Sequence, residues 1–110
     1  MIDVEKISKE HEELFPLATF ESQIWKLEEE VTEVAEAKNI DEIIKEYADC
    51  VIVCIGLYRW CPKFSMMMLH LLKLENQSNW DKIENDVVHK WAINLNRKWE
   101  WNGKTYHHVE

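Results

Sequence analysis

The chain has 110 residues, room for one domain with one core. Apolar residues make up 46% of it, which excludes a disordered tail, and the presence of only two Gly and two Pro excludes a turn-rich all-β fold. The formal charge of −8 is concentrated at the front, where residues 1–46 carry fourteen acids against five lysines; such a surface repels duplex DNA or RNA and argues against a nucleic acid polymer as partner.

The first fifteen residues read as a short polar helix or arm that ends before Pro16, with no basic stretch leading into an apolar one as a signal peptide would have. Thr19 is the expected N-cap of a helix running to about Lys38, with Ile24, Leu27, Val31 and Val34 on its apolar face. Asn39 followed by Glu42 resembles a capping box opening the next helix, expected from about Asp41 to Trp60 and stopped before Pro62. A further helix is expected over Phe64–Leu74, where Met66, Met67 and Met68 read as flexible core filling. The Asn76-Gln77-Ser78-Asn79 cluster breaks it. The last helix is expected from near Trp80 to near Trp99, packing through Ile83, Val87, Trp91 and Leu95, and Asn102-Gly103 beyond it predicts a tight turn. The sum is an all-α single domain over residues 1–110. It is an antiparallel bundle of about four helices with a short C-terminal turn or hairpin tail. One side of so small a bundle is left open, which predicts completion by dimerisation.

Three Cys with no C-x-x-C pair read as free thiols, Cys50 and Cys54 as small buried hydrophobes, and the expected setting is the reducing cytoplasm. The longest apolar run, Cys50–Tyr58, is too short to span a membrane.

Between Tyr47 and Tyr58 small or apolar side chains cover nearly the whole helix circumference, and Asp49 is the one acid among them. Glu46 lies one turn earlier on the same side. A buried carboxylate must be paired, protonated or metal-bound, and neighbouring Lys45 projects about 100° away from Glu46. A cation is therefore expected in front of Glu46 and Asp49. The short connection at Asn39-Ile40 makes the two helices an antiparallel hairpin, bringing Glu30 and Glu33 opposite them. Four converging carboxylates suit Mg²⁺, with Mn²⁺ as a substitute; the absence of Cys or His at this spacing argues against zinc.

The run Glu29-Glu30-x-x-Glu33, then Glu46-x-x-Asp49, resembles the MazG-type all-α nucleoside triphosphate pyrophosphohydrolases, as do Lys26-Leu27 before it and Cys50-Val51-Ile52-Val53 after it. The likeness covers about residues 20–57. It implies Mg²⁺ on Glu30, Glu33, Glu46 and Asp49. It also implies hydrolysis between the α- and β-phosphates to a monophosphate and pyrophosphate, a house-cleaning role in the nucleotide pool, and a homodimer or dimer of dimers. Glu29 and Glu30 are the candidates beside the attacking water. A second likeness, to endings found in phage and mobile-element relatives, lies in Lys90-x-x-x-Asn94-x-x-Arg97-x-Trp99, Gly103 and His108. Lys90, Asn94 and Arg97 at i, i+4 and i+7 form a stripe suited to the β- and γ-phosphates. Trp25, Trp91 and Trp99 are candidates for stacking on the base.

Two other readings compete. A di-iron carboxylate bundle needs Glu-x-x-His from two helices, and only Asp86-x-x-His89 approaches that pattern. A non-catalytic helical interaction module would use the acids as a docking face. The motifs leave open which nucleotide is the substrate.

Overall fold

The computed structural model describes residues 1–109. Asp3 opens α1 (Val4–Leu14) by accepting a hydrogen bond from the Lys6 amide at 3.1 Å. Far from being a loose arm, α1 buries Ile7, Ser8 and His11 against the rest of the bundle, so the described residues form five α-helices where about four were expected. The segment looked polar because only one narrow face of it carries the contacts.

α2 (Phe20–Glu36) starts with a reciprocal cap. The Thr19 hydroxyl accepts from the Ser22 amide at 2.9 Å, and the Ser22 hydroxyl accepts from the Thr19 amide at 2.8 Å. α3 (Ile40–Gly56) starts where Asn39 Oδ1 accepts from the Glu42 amide at 2.9 Å. The return bond from Glu42 goes one residue upstream, to the Lys38 amide at 2.9 Å, so the predicted box is shifted by one position. α3 is the axis of the molecule: it packs against α1, α2 and α4 and against α5 (Trp80–Leu95), and Ala48, Val51, Cys54 and Ile55 are fully buried on it.

A single 3₁₀ turn, Leu57–Arg59, ends the α3 segment, and Pro62 takes the first position of α4 (Pro62–Glu75), where its missing amide hydrogen costs nothing. α4 faces the core with Ser65 and Leu69, the Ser65 hydroxyl donating to the Cys54 carbonyl at 2.7 Å. Of the methionine run only Met68 packs on the core; Met66 and Met67 are exposed, which corrects the reading of all three as core filling. A 3₁₀ turn, Gln77–Asn79, leads into α5, which buries Ile83, Val87 and Trp91.

α5 stops at Leu95, four residues short of the predicted end. Asn96 turns back on the helix by donating to the Ala92 carbonyl at 2.9 Å, and Trp99 Nε1 donates to the Asn94 carbonyl at 3.0 Å. The chain then enters the hairpin of β1 (Lys98–Trp101) and β2 (Tyr106–Val109), in register Trp99 to His108 and Trp101 to Tyr106. Asn102 Oδ1 caps the turn by accepting from the Lys104 and Thr105 amides, and Gly103 has φ +93°, a conformation that favours glycine. The fold is thus mostly helical with a short two-stranded tail.

The apolar stripe expected on α2 is only partly used. Ile24, Leu27 and Val34 are half-buried and Val31 is 54% exposed, while the two fully buried residues of α2 are Ser22 and Gln23. No helix among the described residues is long and apolar enough to cross a membrane.

Candidate functional site

Glu30 and Glu33 stand one turn apart on α2, and Glu46 and Asp49 one turn apart on α3. Because the two helices run antiparallel through a short connection, one oxygen from each carboxylate lies within 4.8 Å of the others. Their electrostatics are those of a crowded acidic site. Burial, then Asp49, Glu33 and Glu46, push the Glu30 carboxyl up to about 8. Burial, then hydrogen bonding and repulsion from Glu33, push Glu46 up to about 7. Four acids this close repel one another, which favours the protonated form of some of them when no cation is present. Glu30 Oε2 and Glu46 Oε2 are buried with no hydrogen-bond partner.

Lys90 of the basic stripe also meets the acids, a pairing not expected from sequence. Lys90 reaches across from α5, its Nζ 3.0 Å from Asp49 Oδ2 and donating to the Lys45 carbonyl at 2.9 Å. Burial still raises the Asp49 pKa, with Lys90 opposing it. Asp49 is therefore half-exposed and paired, and Lys90 contacts an acid where a phosphate contact was expected. Unmet demand for positive charge falls on Glu30, Glu33 and Glu46. An all-oxygen group with two orphaned buried oxygens fits a hard divalent cation such as Mg²⁺. Burial pushes the thiol of neighbouring Cys50 up to about 12. Glu29 stands outside the four, largely exposed and 3.4 Å from Lys26 Nζ.

A cavity of about 380 Å³ leads away from these acids along the seam of α2 and α3. Glu29, Glu30, Glu33 and Asp49 line its acidic part; Lys26, Asn94 and Arg97 stand alongside. Arg97 lies beyond the end of α5, so the predicted helical stripe of Lys90, Asn94 and Arg97 is broken. The hairpin entry nonetheless returns Arg97 to the cavity, where it makes no ion pair among the described residues.

The remaining wall is aromatic. Phe15 meets Trp99 and Tyr106 with ring centroids 5.0 Å apart in each case, and Trp99 meets His108 edge-on at 5.9 Å. Trp91 closes the interior, its Nε1 donating to Glu10 Oε1 at 3.1 Å. Trp25 does not join them. It lines a neighbouring groove that shares Glu29 and Glu33 with the cavity, and the Lys104 ammonium lies 4.7 Å over its ring.

Two lining residues were not singled out from sequence. Gln23, on α2, donates from Nε2 to the Val53 carbonyl at 3.0 Å and is buried. Its position seven residues before Glu30 puts both on one helix face, a signal that was available. His11 came from a segment read as an arm, and nothing in its local sequence marks it. It is 4% exposed, and burial, then Arg59, lower its pKa to about 3, so the ring is neutral.

No protein-family model matches the chain, and no curated protein or solved structure matches it.

Proposed function

We propose that this chain is a Mg²⁺-dependent nucleoside triphosphate pyrophosphohydrolase, acting in nucleotide-pool house-cleaning and releasing pyrophosphate and a monophosphate. The observation that carries the reading is the meeting of four carboxylate oxygens within 4.8 Å, from two helices, beside a cavity whose lining includes three of those acids and an arginine with no ion pair among the described residues. The resemblance of the carboxylate blocks to the MazG type supports cleavage between the α- and β-phosphates.

Glu30, Glu33, Glu46 and Asp49 would hold the ion. Mg²⁺ bound there supplies Lewis acidity to phosphate oxygens and a lowered pKa to coordinated water. Arg97 and Asn94 orient the phosphate chain, the planar guanidinium taking two oxygens at once. Lys90 neutralises Asp49 before substrate arrives and limits the repulsion a polyanion meets. Glu29, exposed at the cavity edge, would accept a proton from attacking water in this reading. Trp99 and Trp91 exclude water from the far side of the substrate.

The chain acts as a homodimer in this reading, with the half-covered stripe of α2 around Val31 as the contact. Its support is the exposure of Val31 and Phe20 on a helix whose other face is already packed. The observation that favours the rival docking module is the Lys90–Asp49 pair, which partly satisfies the acids without metal. Release of pyrophosphate from a panel of triphosphates, with Mg²⁺ and with chelator, separates the two. Mg²⁺-dependent turnover of any member supports the hydrolase, and none from any member leaves the docking module.

A further inference from the structure

Asp86 is not one of the four clustered carboxylates, yet it stands beside the lysine that pairs with one of them. It lies on α5 four residues before Lys90, the spacing and order at which a carboxylate and an ammonium on one helix meet. Its Oδ2 is 3.9 Å from Lys90 Nζ, beyond hydrogen-bonding distance, and is buried with no hydrogen-bond partner. A lysine ammonium has three N–H donors. One goes to Asp49 Oδ2 at 3.0 Å and one to the Lys45 carbonyl at 2.9 Å, so a third is left over. An approach of about 1 Å would give Asp86 a charge-assisted bond to it. The surroundings leave room for that move. Asp49 lines the cavity, whereas Asp86 and Lys45 line a separate groove together with Lys82 and Asn85. Lys90 thus has a carboxylate on each of two openings, bonded to one and just short of the other.

We propose that Asp86 is a positioning residue that takes Lys90 over from Asp49 when a divalent cation binds the four-acid cluster. Like charges at a few ångströms repel strongly, so an ion reaching Asp49 and the ammonium already on it disfavour each other. In the metal-free protein Lys90 serves Asp49. With the ion bound, the ammonium swings onto Asp86 Oδ2 and Asp49 turns to the metal. Both Asp49 and Lys90 are then paired in either state, which avoids stranding a part-buried charge. The inference rests on the metal reading of the cluster and makes metal affinity depend on a residue that does not touch the metal.

The test is calorimetric titration of the full chain with Mn²⁺ and with Mg²⁺, without nucleotide, so that turnover plays no part. Lys90→Met removes the competing cation and is expected to tighten binding at least about fivefold. Asp86→Asn is expected to weaken binding at least about fivefold while Lys90 is present, and by less than about twofold in the Lys90→Met background. Equal weakening in both backgrounds is the effect of a lost negative charge alone and overturns the proposal. So does Asp86→Asn binding as tightly as wild type, or Lys90→Met binding no tighter. A crystal structure of the wild-type protein with Mn²⁺ decides the matter without any variant: Lys90 Nζ bonded to Asp86 supports the hand-over, and Nζ still on Asp49 Oδ2 overturns it. The hydrolase reading fails separately. Wild-type protein that binds neither ion removes both readings, equal weakening removes only the hand-over, and a demonstrated hand-over with no pyrophosphate release removes only the enzyme.

Discussion

α2 and α3 are each 17 residues long and each brings two carboxylates to the site, yet they live in different environments. α3 runs through the core with its second half buried on nearly every side, whereas α2 lies on the surface with two buried residues. The acid whose pKa is raised furthest is nevertheless Glu30, on the exposed helix. Desolvation of a site residue thus depends on the seam it faces and owes little to the average burial of its helix.

Core substitutions test the contrast most strongly. Ile55→Ala on α3 is expected to cost about 2–5 kcal/mol in chemical denaturation, because it opens a void with no room to collapse. Thr32→Ala on α2, exposed and away from the stripe around Val31, is expected to change stability by no more than about 0.5 kcal/mol. Comparable losses at the two positions would mean that α2 is covered as fully as α3.

At the seam the two helices should become equivalent. Glu30→Gln, Glu46→Gln and Asp49→Asn are each expected to lower Mg²⁺-dependent pyrophosphate release by about 100-fold or more, the scale of losing a charged group at a transferring phosphate. Full activity in any of the three would remove that carboxylate from the ligand set.

A smaller effect comes from pH. Glu30 and Glu46 have raised folded pKa values, so above the ordinary carboxylate range the folded protein keeps protons that the unfolded chain has shed. Metal-free stability therefore falls as pH rises toward about 8. His11 acts oppositely: its lowered pKa contributes stability above pH 6.5 that is lost as the pH falls toward about 3. Between pH 6.5 and 8 the carboxylates outweigh the small remainder of the His11 contribution, which is nearly complete once the unfolded imidazole has lost its proton. Over that interval the metal-free melting temperature should drop by several degrees, about 1 kcal/mol after allowance for partial solvent exposure. Mg²⁺ should restore it, and Glu30→Gln should abolish most of both changes. A metal-free melting temperature that rises over this interval would contradict the crowding described here.

The mildest test concerns association. Val31→Glu is expected to turn the proposed dimer into a monomer by light scattering, with little change in helix content. A wild-type monomer with full activity would show that α2 needs no cover.

Much of this was legible beforehand because helix rules are local. Thr19 capped α2 and Asn39 capped α3 as their side chains dictate, and the short link after α2 forced the four carboxylates together. Other features failed for identifiable reasons. The end of α5 was misplaced because Asn96 and the Trp99 indole satisfy helix carbonyls through contacts that follow only once the hairpin has formed. The pairing of Lys90 with Asp49 was not foreseen because the two lie 41 residues apart. Trp25 and Trp99 looked alike as tryptophans; Lys104 covers one, and the cavity exposes the other.

By itself, then, the sequence determined the helical class, the caps and the convergence of Glu30, Glu33, Glu46 and Asp49, since periodicity and a tight connection act within neighbouring turns. Only the tertiary structure decided which acid already has a cation, which tryptophan faces the cavity, and that His11 and Gln23 meet over Gly56 at its far end. Those outcomes depend on side chains brought together from distant segments. Burial and long-range charge pairing set them, and no short stretch of sequence encodes either.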